Sequence, residues 1–318
     1  MTMPLRNVGR SGLRVSAVGL GCNTFGARID REQSVRVVHA ALDSGITLFD
    51  TADIYGGGDS EAHLGEALRG RREQAIIATK FGMPTGVDET YDRGGSRVYV
   101  RRAVERSLRR LGTDHIDLYQ LHAPDPSTPI EETLSVLDDL VHEGKVGYIG
   151  CSNVSAWQVA DADWTARSGH LQRFATVQNE YNLLRRGIER EVTPACQRFG
   201  LGILPYYPLA SGLLTGKYQR GTPPPAGTRL HGHQRAAVLE DDAVMDVVDG
   251  LRRFAEERGI SLLHVAIAGL AAQSCVASVI AGATSPEQVT ANAATIDWQP
   301  SADDLAEIDR ITRAAPRR

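Results

Sequence analysis

"HIDLYQLHAPDPSTPIEETLSVLDDLVHEGKVGYIGCSN", residues 115–153, holds the pattern that decides the fold. "HIDLYQLHA" is a short apolar strand, "PIEETLSVLDDLVHEG" is a helix with Pro129 at its start, and "VGYIGCSN" is a second strand. The same alternation repeats outward in both directions. "VSAVGLG", "TLFDTA" and "AIIATKFG" precede this unit, and "FATVQNEY", "GILPYYPL" and "VASVIAGA" follow it. Helical stretches separate most of them. "DREQSVRVVHAALDSG" is opened by Asp30 and closed by Gly45. "SEAHLGEALRG", "RVYVRRAVERSLRRLG", "SAWQVADADWTARSG" and "EREVTPACQRFG" read the same way, the last with Pro194 inside it. Two further helices are expected over 241–258 and 261–273, then "PEQVTANAATI" and a terminal helix from about Ala302.

Eight apolar strands joined by helices leave two architectures, an open doubly wound sheet or a closed eight-stranded barrel. The open sheet asks for GxGxxG after its first strand, and "GLGCNTFG" has only the first two glycines in place. Asp50 does end the second strand, as that reading also asks. The expectation is a single (β/α)8 TIM barrel over residues 1–318, because eight units in ~300 residues suit it. "PLRNVGRSGLRVS" reads as an N-terminal β-hairpin capping the barrel's bottom, and the last helix is an addition at the C-terminus.

Composition narrows the function. An apolar fraction of 42% supports a sizeable core, and a net charge of −4 gives no reason to expect nucleic acid. No run approaches the ~18 apolar residues of a membrane span, and no apolar run follows the first basic residues. A cytoplasmic protein is expected. Cys22, Cys151, Cys196 and Cys275 are scattered, without the spacing of a disulfide framework or a zinc site, so they read as reduced thiols and no metal is expected. Of the 35 basic residues only Lys80, Lys145 and Lys217 are lysines. In so arginine-biased a chain, each lysine becomes a candidate for a site that needs a compact ammonium of tunable pKa.

A barrel carries its function at the C-terminal strand ends. Those ends present Asp50, Lys80, His122, Ser152 with Asn153, Gln178 with Asn179, Tyr206 with Tyr207, and Gly282. Singly, Asp50 reads as a turn cap, His122 as a core histidine and Lys80 as a snorkelling side chain. Converging on one mouth, they read as a site. The chemistry fits proton transfer. Tyr55 follows Asp50 on a glycine-rich loop and is a poor acid at its ordinary pKa of ~10. A neighbouring Lys80 ammonium would lower that pKa, with Asp50 holding Lys80 charged and oriented, and His122 either donating to a substrate oxygen or tuning the tyrosine. The set would protonate an oxygen as a carbonyl becomes an alcohol.

Asp50, Tyr55, Lys80 and His122, in "FDTADIYG", "ATKFG" and "YQLHAPD", resemble the catalytic tetrad of the aldo-keto reductase superfamily. The likeness also takes in "SLRRLGTDHIDLYQLH", "GKVGYIGCSN", "VQNEYNLL", "PLASGLLTGKY" and "GATSPEQVTANA", nearly the whole chain, and is nearer the branch of bacterial reductases and potassium-channel β-subunits. It implies NADP, with NAD as the other option, bound across the barrel mouth, and a small-molecule carbonyl or alcohol substrate. Ser152, Asn153 and Gln178 would meet the carboxamide and Tyr206 would stack on the nicotinamide. Leu209, Ser211 and Lys217 would hold the pyrophosphate, and Gly282, Thr284, Gln288 and Asn292 the adenosine. Tyr55 would be the general acid in reduction. Members of this family often carry an arginine or lysine in the last segment for the 2′-phosphate, whereas residues 281–292 contain neither and Ala291 stands where a glutamate is common. Lys217, and Arg229 in the long loop, are the candidates to supply the missing charge. Specificity is assigned to loops 82–96 and 219–240, with Tyr91, His231 and His233 as candidate lining. The alternative to an enzyme is a cofactor-retaining, redox-reporting module like the channel β-subunits.

Overall fold

The computed structural model describes residues 3–86 and 93–313. A two-stranded hairpin, β1 (Leu5–Asn7) and β2 (Arg14–Ser16), precedes eight parallel strands. These are β3 (Val18–Gly21), β4 (Leu48–Asp50), β5 (Ile76–Phe81), β6 (Ile116–Leu121), β7 (Val146–Ser152), β8 (Thr176–Gln178), β9 (Gly202–Ile203) and β10 (Val279–Gly282). Their order is β10-β3-β4-β5-β6-β7-β8-β9. The ring closes where Ile203 bridges Val276, with the amide of Ala277 donating to the Ile203 carbonyl at 2.9 Å. The fold is a (β/α)8 barrel. One boundary differs from the sequence reading: Val15 and Ser16 belong to the hairpin, and the first barrel strand starts at Val18.

Helices α1 (Arg31–Asp43), α2 (Asp59–Ala67), α3 (Arg97–Leu111), α4 (Ile130–His142), α5 (Ala156–Ser168), α6 (Val192–Phe199), α7 (Asp242–Glu257), α8 (Leu262–Ala271), α9 (Pro286–Ala294) and α10 (Ala302–Thr312) surround the sheet. Their ends follow local chemistry. Asp30 caps α1 by accepting from the amide of Gln33, and Pro129 immediately precedes α4. Pro194 does not break α6, because it occupies the first turn, where backbone N–H groups have no helical partner to lose.

Period-two alternation sorts each strand into two cores. Phe49, Ile77, Tyr119, Ile149 and Val177 face outward into the layer beneath the helices. Leu48, Ala78, Leu118 and Ile280 face inward, closed off below by Val8, Leu13 and Val15 of the hairpin segment. Two residues beyond each inward residue lies the next inward position, so Leu48 leads to Asp50, Ala78 to Lys80, Leu118 to Gln120 and then His122, and Ile280 to Gly282. The strand pleat itself delivers polar side chains to the mouth. Gly150 is required in this interior, since a Cβ there would lie 1.9 Å from the Thr176 Oγ1.

Candidate active site

Lys80 is fully buried at the floor of the mouth and Asp50 nearly so. The Lys80 Nζ donates to Asp50 Oδ1 at 2.8 Å and Oδ2 at 2.7 Å, and to the Thr51 carbonyl at 2.8 Å. It lies 3.4 Å from the Tyr55 hydroxyl, and Gln178 donates through Nε2 to Asp50 Oδ1 at 2.8 Å. Burial works against the ammonium, but Asp50 and Tyr55 outweigh it and hold the Lys80 pKa above the ordinary lysine value. Charge at Lys80 is therefore secured by geometry.

Tyr55 stands on a turn in which Gly56, Gly57 and Gly58 all take left-handed backbone. At Gly56 a Cβ would meet the Phe25 carbonyl oxygen at 2.7 Å, so the loop turns back over the mouth only with glycine there. The expected lowering of the Tyr55 pKa is not what the structure shows. Desolvation is the larger influence and, with Lys80 opposing it, leaves the phenol above its ordinary value. Tyr55 is thus loaded with its proton at neutral pH, and Lys80 is placed to stabilise the phenolate once the proton leaves.

His122 packs edge-on against Tyr55, with ring centroids 5.8 Å apart and planes at 83°. Burial, helped by the Lys80 charge, lowers its pKa to about 3, so the imidazole is neutral at physiological pH. Its Nδ1 is buried without a hydrogen-bond partner.

A cavity of about 720 Å³ runs from this floor across the strand ends to α9. Asp50, Tyr55, His122, Ser152, Asn153, Gln178, Tyr206, Leu209, Ser211, Lys217, Arg229, Gly282, Thr284, Gln288 and Asn292 all line it; Lys80 lies beneath, reaching it through Asp50 and Tyr55. Its polar groups are already interlocked. The Ser152 hydroxyl donates to the Gln178 carbonyl at 2.7 Å, Asn153 Nδ2 to the His122 carbonyl at 2.9 Å, and the Tyr206 hydroxyl to Asn153 Oδ1 at 2.7 Å. Among the described residues, three of the six non-glycine residues with positive φ, Asn153, Tyr207 and Ser211, lie in this wall. Such backbone costs on the order of 1–3 kcal/mol per residue and clusters at functional sites.

The cations in the lining could hold an anionic ligand. Lys217, Arg229 and Arg28 line the cavity, and among the described residues none of them forms an ion pair. Among the described residues Asp50 is the one carboxylate in the lining, and it is paired with Lys80. Lys217 lies over the Tyr218 ring at 5.3 Å and Arg229 over the Tyr207 ring at 5.1 Å. A Cβ at Gly212 would lie 2.9 Å from Lys217 Cε, so the lysine folds directly over the 209–212 turn.

The chain matches the model of the Aldo/keto reductase family over residues 17–313. It belongs to that family. Among curated proteins, it is 36% identical over 327 residues to a "probable voltage-gated potassium channel subunit beta" of Oryza sativa subsp. japonica, covering 99% of this chain and 98% of that one. A protein of the same description from Arabidopsis thaliana is 35% identical, with the same coverage. An "uncharacterized oxidoreductase YrpG" of Bacillus subtilis is 38% identical over 293 residues, 89% of this chain and 87% of that one.

The sequence missed Asn23, Thr24 and Arg28, which line the cavity from the loop after β3. That loop follows β3, whose end at Gly21 has no polar side chain to mark it, and the pairing of β3 with β10 brings it beside Gly282. Tyr91 lies outside the described residues. His231 and His233 are not in the lining: the first lies 3.0 Å from the Pro224 carbonyl and the second accepts from the Arg235 amide at 3.0 Å. Among the described residues no group of three or more His, Cys, Asp or Glu is arranged to hold a metal, and no helix is long and apolar enough to cross a membrane.

Proposed function

We propose that this aldo-keto reductase family member interconverts aldehydes or ketones with alcohols, using NADP(H) and Tyr55 as the proton donor to the carbonyl oxygen. The observation that carries the reading is the buried Asp50–Lys80 pair ending 3.4 Å from a neutral Tyr55 hydroxyl at the floor of a cation-lined cavity. A nicotinamide dinucleotide, when bound, supplies the hydride to the carbonyl carbon. Tyr55 gives its proton to the oxygen as negative charge builds there, and Lys80 stabilises the phenolate left behind. His122, neutral and against the Tyr55 ring, orients the carbonyl oxygen by hydrogen bonding. Ser152, Asn153 and Gln178 would hold the carboxamide; since Gln178 spends its Nε2 on Asp50, its Oε1 remains as an acceptor. Tyr206 would pack against the nicotinamide. Leu209, Ser211 and Lys217 would hold the pyrophosphate, with Arg229 beside them. Gly282, Thr284, Gln288 and Asn292 would hold the adenosine.

The full-length likeness to two plant proteins described as channel β subunits favours a second reading, a module that binds the dinucleotide and reports its redox state. One assay separates them. Purified protein should oxidise NADPH steadily with a panel of aldehydes and ketones, and Tyr55→Phe should lose ~10²–10⁴-fold in turnover while binding NADPH normally. Tight binding without turnover on any carbonyl would leave the reporting module.

A further inference from the structure

The family resemblance leads one to expect a basic residue in the segment after β10, yet residues 281–292 hold none. The adjacent loop, after β3, supplies one. We infer that Arg28, on the turn between β3 and α1, is the cation this chain sets against the 2′-phosphate of the dinucleotide, and so the residue that makes it prefer NADP(H). The inference rests on the cavity being a nicotinamide dinucleotide site.

The turn is fixed in place. The amide of Arg28 donates to the Thr24 carbonyl at 2.8 Å, and Phe25 bridges Ile29. Two side chains then tie it to the far segment: Thr24 Oγ1 donates to the Ala283 carbonyl at 3.2 Å, and Gln33 Nε2 donates to the Thr284 carbonyl at 2.9 Å. Arg28 consequently lines the cavity at the end formed by Thr284, Gln288 and Asn292. Thr284 and Gln288 are neutral and already bonded to one another, at 2.9 Å through the Thr284 amide. They can donate to a phosphate but cannot neutralise it.

Arg28 can. Its guanidinium is exposed and has no carboxylate partner among the described residues. Of the acidic groups nearby, Asp30 caps α1, Glu32 pairs with Arg36 and Glu66 pairs with Arg31, while Asp59 lies against Gly26 and pairs with no cation among the described residues. A planar fork of donors matches a phosphate bidentately, and such charge-assisted contacts are roughly twice as strong as neutral ones. Arg229, a candidate for this role from the sequence, lies instead over Tyr207, next to Tyr206 and Asn153 at the other end of the cavity. Lys217 is folded over the 209–212 turn. The hydrogen bonds that tie the Arg28 turn to Ala283 and Thr284 select Arg28.

The test is equilibrium binding, independent of turnover. Wild type, Arg28→Ala and Arg229→Ala are titrated by fluorescence quenching with NADPH and NADH. They are titrated by calorimetry with adenosine 2′,5′-bisphosphate and adenosine 5′-monophosphate. Thermal melting confirms that both variants are folded. Arg28→Ala should weaken NADPH and the bisphosphate by about tenfold or more, leaving NADH and the monophosphate within about twofold. Equal weakening of phosphorylated and unphosphorylated ligands would overturn the inference, as would a 2′-phosphate-specific loss in Arg229→Ala but not in Arg28→Ala. So would wild-type protein that binds NADPH and NADH alike. If wild type binds none of the four ligands, the dinucleotide reading itself fails, which is a separate result from any of these.

Discussion

Removing the Lys80 ammonium should damage stability and chemistry for two different reasons, and a second substitution should separate them. The Lys80 Nζ donates to both oxygens of the Asp50 carboxylate and to the Thr51 carbonyl, with the Tyr55 hydroxyl at 3.4 Å, and the lysine is fully buried. In Lys80→Met the carboxylate of Asp50 stays buried with only the Gln178 amide against it. An uncompensated buried charge of this kind costs about 3–5 kcal/mol. For a chain of this length that is a fall of roughly 4–8 °C in Tm, read by calorimetry or far-UV melting. Adding Asp50→Asn removes the orphaned charge while keeping an acceptor for Gln178. Because a buried ion pair exchanged for a neutral pair of similar shape is close to neutral in stability, the double variant should melt within about 3 °C of wild type. Its turnover should stay as low as that of Lys80→Met, since nothing then stabilises the Tyr55 phenolate. A Lys80→Met protein that melts like wild type would refute the reasoning. So would a double variant less stable than Lys80→Met, or one that regains activity.

Other expectations follow from the same geometry. Lys80→Arg keeps the charge but should lose most activity, because a wide planar fork cannot occupy the short contacts to Asp50 and Thr51; steady-state kinetics showing more than about half of wild-type turnover would contradict this. With the His122 pKa at about 3, the pH profile of kcat/KM should show no limb from this residue near pH ~6.5, and NMR of labelled imidazole nitrogens should find it neutral there. Asp53 is buried beside Glu61, accepts from the Tyr99 hydroxyl at 3.0 Å, and has its pKa raised by burial to about 7. The native state therefore keeps a proton that the unfolded chain releases near pH ~4, and stability is lost as pH rises from there through about 7. Asp53→Asn should remove that loss, so the Tm difference between variant and wild type should move in the variant's favour by roughly 4 °C between about pH 5 and pH 8. A difference that stays constant with pH would sink the assignment.

Much of the site was legible because a barrel strand alternates. Once Leu48, Ala78 and Leu118 are inward residues, Asp50, Lys80 and His122 must follow them to the mouth, and short apolar runs ending in polar residues advertise that in the chain. Three things were not legible. The pairing of β3 with β10 joins residues 21 and 282, so the nearness of Arg28 to Thr284 has no local signature. The Gln178–Asp50 hydrogen bond spans 128 positions and needs the closed ring to exist. The direction of the Tyr55 pKa depends on how deeply its hydroxyl is desolvated; residue types point to the Lys80 neighbour but not to the stronger opposing burial. Loop candidates fared least well, since His231 and His233 bond within their own segment and nothing periodic marks which loop residues turn inward.

The most direct measurement follows the hydrogen itself. Purified protein is supplied with NADPH carrying deuterium at the transferable position of the nicotinamide and with an aldehyde taken from the panel, and the product is read by mass spectrometry. The account predicts an alcohol with one deuterium on the former carbonyl carbon in the wild-type reaction, and almost none of that alcohol with Tyr55→Phe. Alcohol formed without deuterium, labelled alcohol made equally well by Tyr55→Phe, or bound NADPH left unoxidised by every carbonyl offered would contradict it.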